Sequence, residues 1–135
     1  MTEAEAERSE VALDLPVEPS SVTIARRAVR ALSDRVGGPG EDVALAVSEA
    51  VGNAVMHAYR GRKPGKILVH AAPQREMLVV TVTDDGGGMI PDAQSSGLGV
   101  GLSLISQVSH DVRLQSSETG TIVSMSFILE EGEAQ

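Results

Sequence analysis

The chain has 135 residues, 41% of them hydrophobic, which suits one domain with a real core and excludes an intrinsically disordered chain. A formal net charge of −8 argues against the basic face that direct nucleic-acid binding requires and against an anionic membrane surface. With no cysteine, disulfide and thiolate chemistry are excluded, and no apolar run reaches the length of a membrane span. The acidic N-terminus lacks the apolar stretch of a secretory signal, so the expected location is cytoplasmic. Only Tyr59 and Phe127 are aromatic, which leaves Val, Leu, Ile, Ala and Met to build the core. Acidic residues crowd both ends, and the expected organisation is a disordered tail over 1–8, one domain over 9–129, and a second acidic tail over 130–135.

Val11, Leu13 and Leu15 alternate with polar or small residues and predict a first strand ending near Pro16. Pro19-Ser20-Ser21 then starts a helix in which Ile24, Ala28, Ala31 and Leu32 recur at helical spacing, stopping near Gly37-Gly38-Pro39-Gly40. A second helix is predicted from Glu41 to Tyr59 on the stripe Val43, Val47, Ala50, Val51, Ala54, Val55 and Ala58. Two strands follow, Lys66–Ala72 and Met77–Thr83, joined by a turn around Pro73-Gln74-Arg75-Glu76. A glycine-rich loop spans Asp84 to Gly88. A second glycine run, Gly97 to Gly101, opens a third helix through Leu102, Leu104, Ile105 and Val108. Strands Val112–Ser116 and Thr121–Leu129 close the chain, Val123, Met125 and Phe127 alternating with Ser124 and Ser126. This order gives the α+β class: a two-layer sandwich with helices on one face of a mixed or antiparallel sheet.

Three segments carry residue types suited to chemistry. Glu49, Asn53 and His57 recur every four residues and drift slowly along one helix face. A carboxamide oxygen is a hard ligand for Mg²⁺, and a carboxylate one turn away can order a water or take a proton. An exposed polar face, with His57 as a simple helix-end cap, explains the same spacing. Asp84-Asp85-Gly86-Gly87-Gly88 follows an apolar strand, so Asp84 can accept from a ligand amino group, a nucleobase amine being one candidate, while the glycines let backbone approach the ligand. A plain turn is the other reading. Gly97-Leu98-Gly99-Val100-Gly101 precedes a helix, where free N–H groups favour phosphate oxygens. It lacks the Lys-Ser/Thr of a P-loop and the surrounding βαβ unit of a dinucleotide site.

In this order, the segments resemble the GHKL ATPases. Glu49 to Tyr59 resembles their N box, Asp84 to Gly88 their G1 box, Gly97 to Leu102 their G2 box, and Gly120-Thr121 the late Gly-Thr that closes the site. The small size and the His57-Ala58-Tyr59 ending are most similar to bacterial anti-sigma factor serine kinases. The resemblance covers Val11 to Phe127 and implies ATP and Mg²⁺ as cofactors. It implies Asn53 as the Mg²⁺ ligand and Glu49 as the general base toward a protein serine. Asp84 would meet the adenine amino group with Thr121 beside it, Gly86 and Gly88 would shape the pocket, and Gly97, Gly99 and Gly101 would border the phosphates. The implied partners are a sigma factor, a STAS-type anti-anti-sigma protein phosphorylated on serine, and a second copy in a homodimer.

The sequence departs from that pattern in one respect. The connector Met89 to Ser96 contains no Lys or Arg, where a cation facing the γ-phosphate is expected. Arg60, Arg62 and Lys63 are candidates from elsewhere, or solvated loop charges. This leaves two further readings: a nucleotide-gated binding module without phosphotransfer, and the catalytic domain of a split histidine kinase.

Overall fold

The structure, a computed structural model, describes residues 9–58, 65–86, 98–117 and 119–130, with the backbone alone for 57, 58, 98–101 and 117. The elements are β1 (Val11–Pro16), α1 (Ser20–Val36), α2 (Gly40–Asn53), a π-helical turn (Ala54–Ala58), β2 (Lys66–Gln74), β3 (Met77–Asp84), α3 (Leu98–Val108), β4 (Asp111–Ser117) and β5 (Gly120–Ile128). The five strands form one sheet in the order β1-β2-β3-β5-β4, and every neighbouring pair is antiparallel. The three helices lie on one face of it, as expected from the element order.

Alternation decides which side chains the sheet turns toward the helices. Ile67, Val69 and Ala71 of β2 are buried, as are Leu78, Val80 and Val82 of β3, and Val123, Met125 and Phe127 of β5. Among the described residues Phe127 is the largest fully buried side chain, packed in one cluster with Leu32, Ile67, Leu78, Ile105 and Met125. α1 packs on α2 and against β1 and β2; α2 packs on α3 and against β3. At the chain's end, the Leu129 N–H donates to the Glu76 carbonyl and the Glu130 N–H to the Gly37 carbonyl, both at 2.9 Å. No helix among the described residues is long and apolar enough to cross a membrane.

Three local expectations are corrected. The β2–β3 turn is tighter than predicted: Gln74 pairs with Met77, leaving Arg75 and Glu76 as the turn, with Arg75 in the left-handed region at φ 58°. Pro73 is tolerated inside β2 because it lies beyond Ala71, the last residue that β1 pairs, so one side of it needs no donor. The buried file of α1 is Ser21, Ala25, Val29, Leu32 and Ser33, while Ile24 is 48% exposed and Ala31 is exposed. The Ser21 hydroxyl donates to the Pro16 carbonyl at 2.6 Å, which satisfies a buried polar group and fixes the rotation of the helix on the sheet. The second helix is not α-helical throughout; it changes to π after Asn53.

This rotation of α1 is checked by paired truncations. Leu32→Ala should lower stability by about 2–5 kcal/mol, whereas Ile24→Ala should cost about 0.5 kcal/mol or less, read from urea unfolding midpoints at unchanged slope.

Candidate functional site

The topology gathers the strand-end candidates Asp84 and Thr121, with Gly120, at one end of the sheet. Asp84 pairs with Ile67 on one side and Thr121 on the other, and Ser117 pairs with Gly120. The start of β2, the end of β3, the end of β4 and the start of β5 therefore share that end. β2 is entered there, so the chain leaving α2 must travel to it. β4 is entered at the opposite end, through Asp111, so α3 must begin at the site end and run away from it. Asn53 lies at the end of α2, before the segment that leads to β2, and Gly99 and Gly101 lie at the start of α3, after the segment that follows β3.

Asp84 is the last member of the inward file of β3 and is buried, as is Thr121 opposite it. Its carboxylate accepts the Gly86 N–H at 3.0 Å and a backbone hydrogen bond from Thr121. Burial pushes its carboxyl above the ordinary carboxylate value; the Gly86 bond opposes this, the neighbouring Asp85 charge adds to it, and the Thr121 bond opposes it. The Thr121 hydroxyl lies 3.3 Å from that of Ser116. A cavity of about 370 Å³ opens beside these groups, lined by Thr83, Asp84, Ser116, Gly120, Thr121 and Ile122, among others. That volume admits a nucleobase-sized group. Gly120 is required where it stands. Its φ is 148°, and a Cβ would sit 2.1 Å from the Asp84 carbonyl oxygen.

Glu49 and Asn53 stand one turn apart on α2. At ~100° per residue they differ by only about 40° around the helix. Asn53 is on the side of the core and 8% exposed; Glu49 is half-buried. Further round, away from the core, lie Leu45 (39% exposed), Gly52 and Met56 (69% exposed). A Cβ on Gly52 would meet nothing within 4 Å. The Asn53 Nδ2 is buried and has no hydrogen-bond partner among the described residues. An orphaned polar atom of this kind costs about 1–3 kcal/mol, a cost that an incoming ligand removes. Immediately beyond it the Ala54 N–H is shared between the Ala50 and Val51 carbonyls, and the π-helical turn begins. Such turns concentrate at functional sites.

The glycine run 97–101 was expected to precede the third helix. The helix instead starts at Leu98, so Gly99 and Gly101 fall inside its first turn, where N–H groups have no intrahelical acceptor. Gly86 is buried at the end of β3. Gly88, Gly97, the connector Met89 to Ser96, Arg60, Arg62 and Lys63 lie outside the described residues, as does the side chain of His57. Three residues at this end were not singled out from sequence: Ser116, Gly65 and Asp85, the last as a residue with its own task. Each acts on a residue distant in the chain or across a strand pair, and no local pattern marks that.

Residues 15–127 match the model of the histidine kinase-like ATPase domain. The chain belongs to that family. Within this histidine kinase-like ATPase family, it is 29% identical to Serine-protein kinase RsbW of Listeria monocytogenes, over 89% of this chain and 88% of that protein. It is 30% identical to Serine-protein kinase RsbW of Bacillus licheniformis, over 84% and 82% of the two chains. Among solved structures, the RsbU and RsbW domains of a Mycobacterium tuberculosis protein superpose with a TM-score of 0.69 at 22% identity, over 89% of this chain and 32% of that one. A blue-light activated histidine kinase of Erythrobacter litoralis gives 0.57 at 27% identity, over 73% and 34%. The GHKL resemblance and the two-layer fold are thereby confirmed, and with them ATP as the nucleotide of the domain.

The Asp84 carboxyl has a testable signature in the ligand-free protein. Its proton affinity is raised on folding, so the folded state holds that proton more tightly than the unfolded state. Stability from this group is therefore fully present below the ordinary carboxylate range and is lost as pH rises through the raised value. Asp84→Asn should be more stable than the parent above that window and lose the advantage below it, in urea titrations across a pH series.

Proposed function

We propose that the protein is a cytoplasmic, Mg²⁺- and ATP-dependent serine/threonine protein kinase that acts as an anti-sigma factor by partner switching. The observation that carries the reading is the buried Asn53 Nδ2, without a hydrogen-bond partner among the described residues, one turn from Glu49 at the point where α2 becomes π-helical. Its relatives bear the name serine-protein kinase, which supports the class of reaction.

The residues present fit a magnesium ion. Among the described residues no cluster of three acidic, histidine or cysteine side chains stands ready to hold a metal. Mg²⁺ needs none, since it keeps several waters and takes few protein ligands together with substrate phosphates. Asn53 would hold it through the amide oxygen, the two ends of that amide being interchangeable by a flip. When bound, the ion neutralises phosphate charge and orients the γ-phosphate. Asp84, ionised, would accept from the adenine amino group, with Thr121 beside it. Gly86 and Gly88 would form the pocket wall, and the N–H groups at Gly97, Gly99 and Gly101 would face the phosphates.

Glu49 lies between Asn53 and a stripe formed by exposed Leu45 and Met56 with half-buried Gly52. A protein serine would approach across that stripe, where Gly52 keeps the helix surface low. The Glu49 carboxylate would take the hydroxyl proton as Oγ bonds to the γ-phosphorus and the bond to ADP breaks. The acceptor would be an anti-anti-sigma protein of STAS type, and a sigma factor would bind outside the nucleotide site, on a surface including α1 that also serves a homodimer.

The absence of Lys and Arg from Met89 to Ser96 favours a second reading, a nucleotide-gated binding module without transfer. One experiment separates the two. Incubated with Mg-ATP and an anti-anti-sigma partner, the protein should produce phosphoserine on that partner. Glu49→Gln should cut the rate by about 10²–10⁴-fold with ATP affinity unchanged. ATP binding without any transfer by the parent protein would leave the binding-module reading in place.

A further inference from the structure

The chain beyond β3 is fastened by a bond that the sheet itself does not supply. The β2–β3 ladder ends at the pair Ile67↔Asp84. One residue further, the Asp85 carboxylate takes the place of a main-chain acceptor: its Oδ1 receives the Lys66 N–H at 3.0 Å. Gly65 supplies the room. A Cβ there would lie 2.1 Å from that oxygen and 2.8 Å from the carboxylate carbon, so the carboxylate occupies the space a side chain at 65 would need. The Asp84-Asp85-Gly86 turn is thus held on both sides, by Lys66 N–H to Asp85 and by Gly86 N–H to Asp84.

We propose that Asp85 is a positioning residue for base recognition: by gripping the entry to β2 across Gly65, it fixes where the Asp84 carboxylate and the Gly86 N–H stand at the cavity. The inference rests on Asp84 being the group that meets the base. It ties the two halves of the site together, because Gly65 and Lys66 are where the chain re-enters the sheet after the α2 segment that carries Asn53. The Asp85 charge acts on Asp84 as well, helping burial to hold its proton. Among the described residues, the Lys66 ammonium lies 3.5 Å from an Asp14 carboxylate oxygen.

Calorimetric titration of the full chain with Mg-ATP and with Mg-GTP tests this. Asp85→Ala and Gly65→Ala should each weaken ATP binding about tenfold, as expected for losing a hydrogen bond to a charged group, and narrow the preference for ATP over GTP. The double variant should be no worse than either single one, since both changes break the same contact. Asp85→Asn keeps an acceptor oxygen, so it should bind as the parent does at neutral pH. Having lost the like charge beside Asp84, it should also hold its affinity to lower pH, a shift that a merely structural contact would not produce. The inference is overturned if Asp85→Ala keeps parental affinity and base preference while Asp84→Asn loses them. It is equally overturned if Asp85→Asn fails as Asp85→Ala does. If Asp84→Asn itself binds both nucleotides like the parent, the base-pocket reading falls and this inference falls with it. Should Gly65→Ala not fold, the two Asp85 variants decide the matter.

Discussion

The register of β3 is the constraint on which the site depends. Leu78, Val80 and Val82 must face the helices to close the core, and a period of two then leaves the next inward position to Asp84. A carboxylate is carried into the protein by the same alternation that buries three aliphatic side chains. A slip of one residue would expose all four. The partner strand is fixed by the same pairing, which puts Thr121 opposite Asp84 and brings Gly120 against its carbonyl. Desolvation, hydrogen bonding and cavity shape at this point are therefore consequences of core packing rather than of a separately built pocket.

Much of this was legible in the sequence. The alternation of Val11, Leu13 and Leu15, and of Val123, Met125 and Phe127, identified strands, the middle pair was marked by the turn between them, and Asp84 stood out because it followed an apolar strand and preceded glycines. What escaped was of two kinds. The face of α1 was misjudged because Ile24 is bulky and Ser21 and Ser33 are not, and hydropathy does not record that the Ser21 hydroxyl is satisfied by Pro16. The π-helical turn escaped because residues such as Ala54 and Val55 are equally acceptable in either helix type. The contacts of Gly65 and Gly120 escaped because their partners, Asp85 and Asp84, arrive from a different strand.

Cost and use coincide at several positions. Burial of Asp84 opposes its ionised form, the orphaned amide of Asn53 forgoes a hydrogen bond, and Gly52 in mid-helix forgoes about 1 kcal/mol relative to alanine. None of these helps the ligand-free protein to stay folded. Asp84 and Asn53 are the groups proposed to meet the base and the metal, and Gly52 borders the proposed approach to Glu49, which is the distribution expected where stability is given up for binding.

The opposite directions of α2 and α3 have an electrical consequence. Peptide dipoles sum to about half a negative charge at the C-terminal end of a helix and half a positive charge at the N-terminal end. The second helix runs on through its π-helical turn before the entry to β2, and α3 opens at Leu98 after β3, so the chain carries a helix C-terminus before one strand end and a helix N-terminus after the other. A cation is favoured past Asn53, at the end of the π-helical turn, and an anion beside Gly99, before any ionised side chain contributes. A connector without Lys or Arg is less of a handicap in a site whose main chain already sorts charge by sign.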